Sequence, residues 1–399
     1  VANLTDVGAG LVILLGDDPG AWASQNDQDT RPIAAGTELP MMEPATPAEG
    51  VQMTISAFAL SREMQMPVIK KVVNDPKNVV TEMIDGLVLA SNGIMERLGD
   101  LNAVVRPSIA DDKVALLIGG GSGHEPMFHG FVGENLADGA PCGNFFAAPA
   151  PDLVYEVTKA LDRGNGVLYL YNNYAGDNMN FDIGMEMAED DGIDVRTVRI
   201  FDDVAAVPPD RMHDRRGIAG DVFIIKISGA ACATLKSIDE CVRVTEKARN
   251  WTRSMGVAVS AGSIPETGEP TFVLGEDEIE IGMGAHGEPG VRRPKLMSAD
   301  EITDIMTESI LEEGIFEKGD EVALLLNGLG ATTMMEMLIV NRRLRPILAG
   351  KSIDVYRTEV GPYLTCQEMQ GFSITLMKLD DELKTYLDMP CESIGYTRK

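Results

Sequence analysis

Four histidines are spread over the 399 residues, and two of them occupy glycine-rich turns with related wording. The first turn is Gly119-Gly120-Gly121-Ser122-Gly123-His124-Glu125-Pro126, directly after the apolar run Val114–Ile118. The second is Gly284-Ala285-His286-Gly287-Glu288-Pro289-Gly290, after the run Glu278–Ile281. Imidazole can donate, accept or attack near neutral pH, and glycines at a strand end let a ligand approach the backbone closely. Either turn alone fits a structural loop around a hydrogen-bonded imidazole. Two such turns among four histidines favour function. A third cluster is Tyr171-Asn172-Asn173-Tyr174-Ala175-Gly176-Asp177-Asn178-Met179-Asn180-Phe181. Asp177 there is either a helix N-cap or a general base for a hydroxyl. Four Asn and one Asp between 172 and 180 are many for a bare cap. His129 and His213 sit in no comparable context and read as structural.

Phosphate-binding patterns are incomplete. GxxxxGK[ST] is absent, GxGxxG counted from Gly119 breaks at His124, and Asn327-Gly328-Leu329-Gly330-Ala331-Thr332 is only GxGxxT. No nucleotide loop is therefore expected on this chain. Five cysteines without CxxC or nearby histidine at ligand spacing suggest free thiols, a reducing compartment and no metal site. The net charge of −28 disfavours nucleic acid and anionic membrane as partners. No stretch reaches the roughly 20 apolar residues that span a bilayer. The sequence opens on Val1 without a basic n-region, so no signal peptide is expected and the cytoplasm is the expected location.

The elements that must position these residues follow an α/β rhythm from Val68 onward. Helical spacing covers Val79–Leu98, and Asp152–Leu161 reads as a helix capped by Asp152. A further helix is expected from about Asn178, and one long helix over Ala230–Met255. Strands are expected at Val114–Ile118, Gly166–Tyr171, Val195–Ile200 and Val222–Ile225. After Met255, short strands are expected at Val257–Val259, Thr271–Leu274 and Glu278–Ile281. They are followed by helix Ala299–Glu313, strand Glu321–Leu326, helix Thr332–Leu344 and strand Phe372–Leu376. This pattern predicts an α/β protein of two α/β domains, 67–252 and 253–399, with mixed, largely parallel sheets and helices on their faces. The site is expected in the crevice between strand ends. Residues 1–66 hold nine acids against Arg31 and Arg62, with one expected strand at Leu11–Leu15, and read as an acidic extension of open role.

Seven segments, in order, resemble the substrate-binding (DhaK) subunit of the dihydroxyacetone kinase family. They are Gly119–Pro126, Gly143-Asn144-Phe145-Phe146 with Ala148–Asp152, Asn173–Phe181, Arg215-Arg216-Gly217, Gly284–Gly290, Leu329–Thr332 and Gly371–Leu376. The resemblance runs from about residue 67 to the C-terminus. It implies that His286 binds the ketone carbon of dihydroxyacetone as a covalent hemiaminal, which a substrate without a carbonyl, such as glycerol, cannot form. It implies that Asp177 takes the proton of the attacking terminal hydroxyl and that His124 orients the substrate. Gly120, Gly121, Ser122, Gly123 and Asn172 are expected to line the same pocket. Asn172 stands where many family members have a substrate-contacting Lys, so a related ketose such as erythrulose is an alternative substrate.

The resemblance further implies a homodimer that binds no cofactor itself. A separate DhaL-like subunit would carry Mg-ADP or Mg-ATP, the former recharged from phosphoenolpyruvate by a DhaM-like donor. The alternative from another class is a non-catalytic paralogue that senses dihydroxyacetone as a coactivator of transcription.

Overall fold

The apolar run ending at Gly119 forms β3 (Ala115–Ile118), all four residues of which are buried, as befits a strand covered on both faces. Around it, a computed structural model describes residues 71–399 except Glu266. The extension 1–66 and the strand expected at Leu11–Leu15 lie outside the described residues.

β3 sits inside a seven-stranded sheet with β1 (Glu96–Arg97), β2 (Ala103–Val105), β4 (Gly120–Ser122), β5 (Gly139–Phe145), β6 (Val167–Asn172) and β7 (Val195–Ile200). The order is β1-β2-β5-β3-β6-β7, with β4 pairing on β5. β5, β3, β6 and β7 run parallel, so β3 and β6 end side by side. That is where a doubly wound sheet opens a crevice. A second, five-stranded sheet has β8 (Thr252–Ser260), β9 (Glu280–Ile281), β10 (Glu321–Gly328), β11 (Asp354–Gly361) and β12 (Gln370–Leu379), in the order β11-β10-β12-β8-β9. Its β10–β11 pair is parallel and its other pairs are antiparallel. The mixed α/β class expected from the sequence is observed.

The helices are α1 (Val79–Ala90), α2 (Pro151–Leu161), α3 (Ala175–Asp190), α4 (Asp221–Thr234), α5 (Ile238–Asn250), α6 (Ala299–Leu311), α7 (Met334–Gly350) and α8 (Asp381–Asp388). α6 and α7 open on full capping boxes, Ser298 with Glu301 and Thr333 with Glu336, which fix their starts. Several expectations change. α1 stops at Ala90, short of Leu98. α2 takes Pro151 at its first position, with Ala150 rather than Asp152 at the cap. α3 begins at Ala175, so Asp177 lies in its first turn and is no cap. Val222–Ile225 is helix, not strand: α4 is buried from Asp221 through Cys232, and a helix apolar all round loses its 3.6-residue signature. The long helix over Ala230–Met255 is in fact the end of α4, then α5, then the start of β8. Thr271–Leu274 is not a strand, and β11 carried no sequence expectation.

The change of sheet falls at Thr252. Across it runs one core, in which Val222, Ile225, Leu325, Met377, Leu383 and Leu387 belong to the same cluster. Asn74–Ser263 and Pro270–Lys399 accordingly form one compact unit. Among the described residues, no helix is long and apolar enough to cross a membrane.

Candidate active site

Two strand ends and two distant turns converge on one cleft of about 290 Å³, measured to its open mouth. The enclosed part of that space is much smaller, well under what a nucleotide fills. Its walls are Gly119, Gly120, Gly121 and His124 after β3, Asn172, Tyr174 and Asp177 after β6, and Ala285 and His286 after β9, with Phe128 and Leu364. Six of the eight residues singled out in the sequence are among them. Ser122 and Gly123 stand behind the wall. The Ser122 hydroxyl donates to Gly143 O at 2.7 Å, and the Gly123 N–H donates to Glu125 Oε1 at 2.9 Å. The glycine run is needed where it lies close to other chain: a Cβ on Gly121 would sit 2.8 Å from the Ala147 nitrogen. Gly123 takes φ +107°, which side-chain-bearing residues rarely adopt.

The His286 turn is pinned from both sides. Arg216 donates from Nε to Asp203 at 2.6 Å and from Nη2 to Gly282 O at 2.7 Å, and Gly290 N–H donates to Glu280 at 2.9 Å. Within the turn, His286 Nδ1 meets Glu288 Oε1 at 2.9 Å, and its backbone N–H donates to Glu288 Oε2 at 2.9 Å. Burial pushes the Glu288 carboxyl up, but the His286 hydrogen bonds and charge outweigh it and hold it at about 2. Glu288 is therefore a fixed anion behind the imidazole.

His124 Nε2 faces His286 Nε2 at 2.9 Å, while His124 Nδ1 faces Thr365 O at 2.6 Å. These partners assign the protons. A carbonyl only accepts, so His124 Nδ1 carries hydrogen, and an ionised carboxylate only accepts, so His286 Nδ1 carries one too. The Nε2 contact needs one more. Burial first, and then His286, hold His124 down at about 3 against the pull of Thr365 O, so His124 is neutral and the shared hydrogen belongs to His286. Phe146 stacks on His124 with centroids 5.0 Å apart, and Tyr174 meets the His286 ring edge-on at 4.9 Å.

Asp177 has a buried Oδ1 with no hydrogen-bond partner. Burial raises its carboxyl to about 6, opposed by His286. A carboxylate with a free lone pair and an affinity for protons near neutrality suits a general base. Asn173, Asn178 and Asn180 of its cluster are scaffold. Asn173 Nδ2 donates to His213 O at 3.0 Å and Arg215 O at 2.7 Å, Asn178 to Asn173 Oδ1 at 2.8 Å, and Asn180 to Pro149 O at 2.9 Å. Sequence reasoning assigned no role to Glu288, although it stands two residues from His286 in the quoted turn. Tyr174 likewise lay inside a quoted cluster. Leu364 and Thr365, in the β11–β12 connection, carried no local signal.

With this geometry in hand, known proteins can be compared. A Dak1 domain matches residues 85–395. The PTS-dependent dihydroxyacetone kinase 2 dihydroxyacetone-binding subunit DhaK of Listeria innocua is 42% identical over 327 residues, 82% of this chain and 98% of that protein. The L-erythrulose 1-kinase of Mycolicibacterium smegmatis is 39% identical over 82% of this chain, which spans only 58% of that longer protein. A solved dihydroxyacetone kinase operon co-activator, Dha-DhaQ, superposes with a TM-score of 0.74 at 30% identity, covering 79% of this chain and 98% of its own.

Proposed function

We propose, since this chain belongs to the Dak1-domain family of dihydroxyacetone kinases, phosphotransferases acting on an alcohol group, that it is the ketose-binding catalytic subunit of such a kinase. The observation that carries this reading is the Glu288–His286–His124 chain of contacts opening into the cavity that Asp177 also lines. In it, His286 Nε2 passes its proton to His124 Nε2 and attacks the ketone carbon. His124 gives that proton to the carbonyl oxygen as the C–N bond forms. The product is a hemiaminal with a hydroxyl group, its N-alkylated imidazolium paired with Glu288, and His124 is returned to neutrality. Asp177 then accepts the proton of the terminal hydroxyl as that oxygen attacks phosphorus.

The phosphoryl group comes, in this reading, from a separate DhaL-like subunit holding Mg-ADP or Mg-ATP. The PTS-dependent name of the Listeria relative supports recharging from phosphoenolpyruvate through a DhaM-like protein. The subunit works as a cytoplasmic homodimer. The small cavity without a phosphate loop supports leaving the nucleotide to the partner.

Intact-mass measurement with dihydroxyacetone tests the central step. The wild type should gain the whole ketose without loss of water, His286→Ala should gain nothing, and glycerol should leave both unchanged. An adduct that survives in His286→Ala sinks the assignment.

A second substrate is favoured by Asn172 on the cavity wall and by the erythrulose-kinase relative. With a phosphoryl-donating partner present, kcat/KM for erythrulose should equal or exceed that for dihydroxyacetone. A strong dihydroxyacetone preference removes this reading. The co-activator likeness offers a non-catalytic role, against which the proton-hungry Asp177 argues, since a sensor has no need of a base.

A further inference from the structure

The turn Asn327-Gly328-Leu329-Gly330-Ala331-Thr332, incomplete as a phosphate loop, is engaged with another stretch of chain. Leu329 O accepts the Cys366 N–H at 2.9 Å, the Ala331 N–H donates to Met369 O at 3.0 Å, and the Thr332 hydroxyl accepts the Gly371 N–H at 2.7 Å. These partners lie in the connection from β11 into β12. The same connection puts Leu364 on the cavity wall and Thr365 against His124.

The strongest grip is that of Asn327, near the end of β10 and fully buried. Its Oδ1 accepts the N–H groups of Tyr363 and Leu364, each at 2.9 Å, and its Nδ2 donates to Leu364 O at 2.7 Å. One amide thus satisfies two donors and one acceptor of the loop. Turned end for end, it would set N–H against N–H, so its orientation is fixed by its partners. An ionised carboxylate in its place would lack the donor, and an aliphatic side chain would lack both functions. The next residue is Thr365. Its carbonyl takes the Nδ1 hydrogen of His124 at 2.6 Å, its N–H donates to His124 O at 3.1 Å, and its hydroxyl donates to Glu125 O at 2.9 Å. That carbonyl holds the hydrogen on Nδ1 and leaves the Nε2 lone pair toward His286, as the proton handover between the rings requires. A hydrogen on His124 Nε2 instead would block the handover.

We propose that Asn327 is a positioning residue for His124: by clamping Tyr363 and Leu364 it aims the Thr365 carbonyl, which sets the tautomer that accepts the His286 proton. The proposal rests on the reading that His286 captures a ketose in this cavity. It gives the glycine turn after β10 a task in the chemistry without any contact to substrate.

Nitrogen-15 NMR of the histidine rings, run on the ligand-free protein, reads the tautomer, and the rate of mass gain with dihydroxyacetone reads its use. The wild type should show His124 with hydrogen on Nδ1 and a bare Nε2. In Asn327→Leu the form with hydrogen on Nε2 should appear, and adduct formation should slow about tenfold. Thr375→Val removes a different buried hydrogen bond of the same sheet, to Ser254 at 2.7 Å, and should leave both readouts at wild-type values. The proposal is overturned by a wild-type His124 with hydrogen on Nε2, by a folded Asn327→Leu with unchanged tautomer and rate, or by a Thr375→Val that shifts both equally. Should Asn327→Leu not melt cooperatively, amide hydrogen exchange on the wild type decides. The N–H groups of Tyr363 and Leu364 should exchange as slowly as those of β10, and exchange at the rate of an open loop overturns the clamp. A wild type that gains no mass removes the ketose reading and leaves the ring spectra to judge the clamp.

Discussion

His124 and His129 share a loop, lie five residues apart and are each only 2% exposed, yet their surroundings drive them in opposite directions. Burial lowers both. At His124 the second imidazole adds to that and the ring is held at about 3. At His129 burial is outweighed by Cys142 and by Glu125, and the ring is pushed up to about 10. Its Nε2 lies 3.5 Å from Glu125 Oε1, an ion-pair distance too long for a strong hydrogen bond. Glu125 in turn is raised by burial but held at about 2 by His129 and the Gly123 N–H. In the proposed mechanism the front of the loop moves a proton, while its back holds a charge pair. Burial makes either possible, and the neighbour decides which.

Asp177 belongs with the front, and replacing it should break the site most severely. Asp177→Asn should lower kcat by about 10²–10⁴-fold while ketose affinity holds. Unchanged turnover would remove it as the base. In the wild type kcat should rise with pH through about 6, as the carboxyl becomes able to accept a proton. The sign for stability is opposite. A carboxyl raised from 3.8 to about 6 penalises the folded state above that range, and the penalty disappears as pH falls below 3.8. Asp177→Asn should therefore stabilise the protein at pH 7, by ~2 kcal/mol in urea unfolding.

Next in size is the back of the loop. His129→Gln should cost ~2 kcal/mol, because a half-buried carboxylate loses the cation beside it, while the ketose affinity of the folded protein stays near wild type. The raised His129 contributes fully below 6.5, and that contribution fades as pH climbs through about 10. Lowered Glu125 contributes fully above 4.5, fading as pH falls through about 2. The difference in Tm between wild type and His129→Gln should thus be widest between pH 4.5 and 6.5. A loss of ketose binding in well-folded His129→Gln would erase the distinction between front and back.

The smallest effect sharpens the same line. Ser122 hydrogen-bonds Gly143 O behind the wall, so Ser122→Ala should cost ~1 kcal/mol of stability and leave ketose affinity unchanged. Weakened binding at full stability would place Ser122 in the cavity after all.

His124, His286 and Asp177 were legible in the sequence because their glycine turns and strand-end setting are local. The capping boxes of α6 and α7 are equally local; they start α6 at Ala299, as apolar spacing does, and α7 at Met334, two residues after the Thr332 that spacing gives. What the sequence hid has two physical causes. A wholly buried element such as α4 has no polar face, so its period cannot be read and Val222–Ile225 passes for a strand. Roles that depend on distant partners are invisible as well. Thr365 meets His124 across 241 residues of chain, and Asn172 meets Asp221 across 49. Ser122 and Gly123 turn to partners of their own, Gly143 O and the Glu125 carboxylate, and spacing within a glycine run does not say which of its members face the cleft.

The most direct measurement of the central claim is carbon-13 NMR of dihydroxyacetone labelled at its ketone carbon, bound to the wild-type subunit. The ketone signal should be replaced by that of a tetrahedral carbon, and His286→Ala should abolish the change. A bound ketose that keeps its ketone signal at saturation would contradict covalent capture by His286.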